Sequence, residues 1–175
     1  MNIRVLVSLS LFVAIGVVLH QVIPPIFNGM KPDMMLLMMF LGIILFPQIK
    51  NVFILGIVTG ILSGLTSSFP GGLVPNIIDK IFTSLIIYCL YLLLTKILKE
   101  AVTTTILTAF GTIISGTIFL TSALLIVGLP GGVGFLPLFV GVVLPATVMN
   151  TVAMIVIYPI VQSILRRTNS VSMSS

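Results

Sequence analysis

The chain contains three acidic side chains, each within two positions of a lysine, and two of these pairings, Lys31-Pro32-Asp33 and Asp79-Lys80, fall on the same, sparsely charged side of the chain's apolar runs. Each doublet falls where an apolar run begins, at or just inside a membrane boundary. Moving charge toward lipid there costs a few kcal/mol or more unless the charge is paired or faces a cavity. The plain reading is capping and snorkelling: Pro suits a first helical turn, and Asp complements the positive end of a helix dipole. The sharper reading is a ligand site. Two cations and two anions at one end of a helical protein match a zwitterion such as an amino acid, its ammonium seeking Asp79 or Asp33. Its carboxylate would seek Lys80, Lys31 or the free amides of a helix start.

Other residues could complete such a site. Met35, Met38 and Met39 share a face at helical spacing, and polarizable thioethers could wall an aromatic ligand or simply fill a core. His20, Asn76 and Asn150 each offer a polar atom near the same end or in mid-span. Any of them could accept an indole N–H, and the sequence does not rank them. Equally, His20 could serve packing, and Asn150 an interhelical bond. Cys89 stands alone in an apolar run, which excludes a disulfide framework and suggests packing.

Several chemistries are excluded. The chain has no G-x-x-x-x-G-K loop, no H-E-x-x-H and no G-x-S-x-G, and with one His it cannot build a metalloprotease site. No cofactor or metal is expected, and the chain does not read as an enzyme. The carboxylates lie near helix ends, so the mid-span relay of a proton-driven carrier is not expected either.

The elements that position these residues follow from composition. Of 175 residues, 58% are apolar and only 6% charged, with mean hydropathy +1.35, too few charges to clothe a soluble domain. Apolar runs of roughly 18 residues or more, rather than ten-residue alternation, point to helices and not a barrel. The expected fold is an all-α integral membrane protein with six transmembrane helices: Ile3 to Ile23, Met34 to Phe46, Val52 to Phe69, Ile77 to Thr95, Ala101 to Leu129 and Leu136 to Leu165. The second is short, about 20 Å against a hydrocarbon core of about 30 Å, so it must borrow from Lys31 and Asp33 or be re-entrant. One domain covers 1–168, and 169–175 form a Ser-rich tail. The start mimics a signal peptide, but His20, Gln21 and Pro24-Pro25 stand where cleavage would need small residues, so a retained helix is expected.

The net charge of +5 is scattered as singles and pairs between apolar runs, which marks topology rather than nucleic-acid binding. With six crossings, Arg4, Lys50, Lys96, Lys99, Arg166 and Arg167 collect on one side, against Lys31 and Lys80 on the other. Both termini are therefore expected in the cytoplasm. Gly56, Gly60 and Gly64 form a small-residue stripe for close helix approach, within the chain or to a partner. In the last span Pro145 is expected to kink the helix.

Gly29-Met30-Lys31-Pro32-Asp33-Met34-Met35-Leu36, Pro75-Asn76-Ile77-Ile78-Asp79-Lys80, Leu129-Pro130-Gly131-Gly132, Leu144-Pro145-Ala146 and Asn150-Thr151 together resemble the bacterial tryptophan transporter family. That family is similar to the substrate-binding (S) components of energy-coupling-factor (ECF) transporters, and the resemblance covers nearly the whole chain. It implies an S-component-like bundle in the cell membrane that captures tryptophan outside. It also implies partners: a transmembrane coupling subunit and two ATPases. An alanine-x-x-x-alanine docking face on the first helix is implied too, and Ser10 and Ala14 fit its spacing; the alternative docking face is the glycine stripe. Rival readings are a stand-alone ion-coupled carrier, an S component for another aromatic or vitamin-like solute, and a non-transporting membrane adaptor.

Overall fold

The computed structural model describes residues 3–24, 31–129 and 132–167, without the side chains of Arg166 and Arg167. The Gly29-Met30 and Pro130-Gly131 stretches and the 169–175 tail lie outside the described residues. Every regular element within them is helical: α1 (Ile3–Val22), α2 (Met34–Leu45), α3 (Ile49–Leu65), α4 (Leu73–Leu94), α5 (Glu100–Ile126) and α6. The last runs continuously through Phe135–Leu138, a π-helical turn Phe139–Val143, and Leu144–Arg167.

Residue pairs across the helices show that successive elements run antiparallel. A Cβ on Gly16 would touch Met35 and Met38, whereas one on Gly42 would touch Leu9 and Leu55. Gly64 abuts Leu73 and Gly60 abuts Ile77; farther along, Asn150 meets Thr112 and Gln162 meets Glu100. The ends of α1, α3 and α5 therefore gather with the starts of α2, α4 and α6.

The outward faces are apolar. Leu11, Val18, Phe53, Phe82, Phe110, Leu125 and Val148 are all exposed, as lipid contact demands, while Thr59, Thr83, Thr104, Thr108, Thr112, Ser115 and Asn150 are buried. Along α5, Thr104, Thr108 and Thr112 each donate to the carbonyl four residues back at 2.8 Å, so their burial leaves no orphan hydroxyl. Cys89 faces outward, not into the core.

The short second span borrows nothing. α2 holds 12 residues, about 18 Å, with Asp33 as its N-cap, and every residue from Met34 to Ile44 is buried. The other helices enclose it, so its length need not match the bilayer. An enclosed helix has no privileged face. Met35 accordingly receives the Ser63 hydroxyl, Met38 lies against Gly16, and Met39 is in the core.

The glycine stripe is used inside the chain. A Cβ on Gly60 would lie 2.9 Å from the Cα of Ile77, and one on Gly64 2.8 Å from that of Leu73. These contacts seat α3 directly on the backbone of α4, which corrects the alternative of Gly56, Gly60 and Gly64 as a partner face. At Pro145, the π turn performs the adjustment expected of a kink. Leu144 N–H reaches back five residues to Phe139, widening the coil just where proline removes a donor.

Candidate functional site

α4 begins at Leu73, earlier than the apolar run suggested, so Asp79 and Lys80 sit nearly two turns inside it rather than one. Both are almost inaccessible, at 1% and 3% exposure. Adjacent helical side chains normally diverge, but the lysine stem curls so that Nζ lies 2.8 Å from Asp79 Oδ2. The same ammonium lies 3.2 Å from Asp33 Oδ2 on the facing helix and 3.2 Å from Ser115 Oγ on α5. Ser115 and Thr83 each donate to Asp79 at 2.8 Å. One lysine thus ties together α2, α4 and α5 through two carboxylates and the Ser115 hydroxyl.

Asp33 is a junction in its own right. Its Oδ1 accepts from Leu36 N–H at 3.1 Å, capping α2, while its own N–H donates to Asn150 Oδ1 at 2.8 Å. Asn150 then donates to Thr112 at 3.2 Å, so the amide is an interhelical bond that fixes the start of α2 against α6. Burial pushes the Asp33 carboxyl up, but the Lys80 ammonium, His20 and the Leu36 N–H outweigh it and hold the group below the usual carboxylate range. His20 Nδ1 lies 3.9 Å from Asp33 Oδ1 and is buried without a hydrogen-bond partner among the described residues.

These groups surround a cavity of about 320 Å³ at the gathered helix ends. His20, Asp33, Asn76, Asp79, Lys80 and Asn150 all line it. Lys31, Met35, Met38 and Met39 do not. Lys31 turns away and donates to the backbone carbonyl of His20, where a cation suits the end of α1. The methionine wall is replaced by residues the sequence did not single out. Phe69 and Phe119 meet edge to face, with centroids 5.2 Å apart and planes at 83°, and Leu36, Leu120 and Val142 continue the apolar side. Ser63, Ser67 and Ser68 add hydroxyls on the side of α3. The volume is at the lower end for small-ligand pockets, about 300–1,000 Å³, which suits an amino-acid-sized solute. Ser10 and Ala14 lie elsewhere, in an apolar groove of about 270 Å³ between α1 and α3.

Asn150→Leu is expected to lower stability by about 1–2 kcal/mol, because it orphans the Asp33 N–H. Thermal unfolding in detergent reads this directly; an unchanged midpoint would contradict the junction role.

Fold and site together define a multi-pass helical membrane protein with a small, ion-lined cavity at one end of its bundle. The family model of the tryptophan transporter TrpP matches residues 2–166, and the chain belongs to that family of transport proteins. Relatives named "probable tryptophan transport protein" occur in Bacillus subtilis (57% identical, 97% of this chain and 96% of that one) and Clostridium acetobutylicum (43%; 95% and 96%). Another of the same name is found in Clostridium perfringens (39%; 96% of both chains). No solved structure matches the chain.

Proposed function

We propose that this protein binds tryptophan as the S component of an ECF-type, ATP-driven importer in the bacterial cell membrane. Both termini are cytoplasmic and the cavity opens to the exterior. The observation that carries this reading is the cavity itself, which an aromatic pair, Phe69 and Phe119, lines together with buried ionic groups in a chain of the tryptophan transporter family. The indole lies against the ring pair and the ammonium at Asp33. The carboxylate faces Ser67, Ser68 and the first turn of α4.

Reliance on external energy is supported by how the carboxylates are engaged. Asp79 is fully engaged with Lys80, Ser115 and Thr83, Asp33 is already paired with Lys80 while it caps α2, and Glu100 lies at the opposite end beside Gln162. A coupling subunit and two ATPases are therefore the proposed partners. The groove holding Ser10 and Ala14 is the proposed docking face.

Purified alone, the chain should bind tryptophan without ATP, and native membranes should yield it together with three further subunits. Tryptophan accumulation in vesicles containing this chain alone, driven by a sodium or proton gradient, would overturn the S-component reading. Failure to bind any amino acid would favour an adaptor.

A further inference from the structure

The charges lining the cavity do not balance. Two carboxylates, Asp33 and Asp79, face one ammonium, Lys80, while Lys31 is engaged on the His20 carbonyl outside the lining. Two of these three groups are closed to a ligand. An ammonium has three donors, and those of Lys80 are directed at Asp79 (2.8 Å), Asp33 (3.2 Å) and Ser115 (3.2 Å). Asp79 accepts from Thr83 through one oxygen and from Lys80 and Ser115 through the other. Asp33 differs. Its side chain keeps 32% of its surface and, among the described residues, accepts only from Leu36 N–H and Lys80, leaving lone pairs open to the cavity. Beside it, His20 Nδ1 is a buried nitrogen with no hydrogen-bond partner among the described residues.

We propose that the site selects its ligand by the ammonium group, held between Asp33 Oδ1 and His20 Nδ1, and that the ligand's carboxylate is dispensable. Aromatic primary amines lacking a carboxylate are then ligands of this cavity. The inference rests on reading the cavity as the tryptophan site. Asp33, Asp79 and Lys80 together give the lining a formal charge of −1, so a monocation brings the sum to zero, whereas an anion adds to the excess. Lys80 is a fixed counter-ion that holds the carboxylates together and has no donor left for a ligand.

Because the chain contains no Trp, the fluorescence of an indole ligand, excited beyond tyrosine absorption, reports binding to the purified full chain without protein background. Tryptamine is expected to bind within about tenfold of tryptophan, and indole-3-propionate at least about a hundredfold more weakly. Asp33→Asn keeps a capping side chain but removes the charge. It should weaken tryptamine by about tenfold or more and narrow the gap to indole-3-propionate. If tryptophan binds while tryptamine fails and indole-3-propionate succeeds, the inference is overturned and the tryptophan site stands. Tryptamine binding without tryptophan binding would keep the charge assignment and overturn the functional reading, and binding of neither amine would overturn both.

Discussion

Lys80→Met should destabilise the protein by about 3–5 kcal/mol, enough to lower its unfolding midpoint in detergent by roughly 10 °C. The volume of the side chain is kept, so the loss comes from charge. Without the ammonium, Asp79 is left at 1% exposure and loses one of its partners, and Asp33 loses its link to α4. Removing one member of a buried ion pair costs far more than the pair itself contributes, because the remaining charge is desolvated and uncompensated. The double variant Lys80→Met with Asp79→Asn should therefore recover part of the loss, since the orphaned charge goes with it. A single variant as stable as wild type, or a double variant markedly worse than the single, would mean that Lys80 is not the counter-ion that joins α2, α4 and α5.

The second large effect is expected at Gly60. A leucine there needs a Cβ 2.9 Å from the Cα of Ile77 and 3.3 Å from the carbonyl oxygen of Asn76, both backbone atoms that cannot rotate aside. α4 must move away from α3, at about 3 kcal/mol, at or beyond the upper range of core overpacking. Asn76, Asp79 and Lys80 would move with it, so the cavity should lose ligand affinity as well as the fold losing stability. Gly141→Ala supplies the contrast, because a Cβ there meets nothing within 4 Å, and it should stay within about 0.5 kcal/mol of wild type. Equal behaviour of the two variants in thermal unfolding would contradict the close α3–α4 seat.

How far the sequence disclosed this architecture differs from residue to residue. The spans and charge doublets were legible because charge is so scarce in an apolar chain that any doublet at a span boundary stands out. Lys31 misled for a local reason: two positions from Asp33, it looks like a partner. Yet the chain direction sends its ammonium back to the end of α1, and Asp33 turns forward to cap α2 and meet Lys80. Met35, Met38 and Met39 do share helical spacing, but spacing names a face only for a helix with an outside, and α2 has none. Phe69 and Phe119 were invisible for the opposite reason. They are two of 11 phenylalanines, and their meeting depends on where the turn after α3 places one ring against the last third of α5. Ser63 and Ser115 left a fainter trace, each beside a glycine in a small-residue stretch, a pattern that packing alone also produces. The π turn could be anticipated only as some distortion near Pro145, since the widening is set by which carbonyl the preceding N–H can reach.

The most direct test is the structure of the protein determined with tryptophan bound. The indole should rest against Phe69 and Phe119, with the ammonium at hydrogen-bond distance, about 2.7–3.2 Å, from Asp33. Tryptophan bound instead in the groove between α1 and α3, or bound at the helix ends with its ammonium turned away from Asp33, would contradict the account.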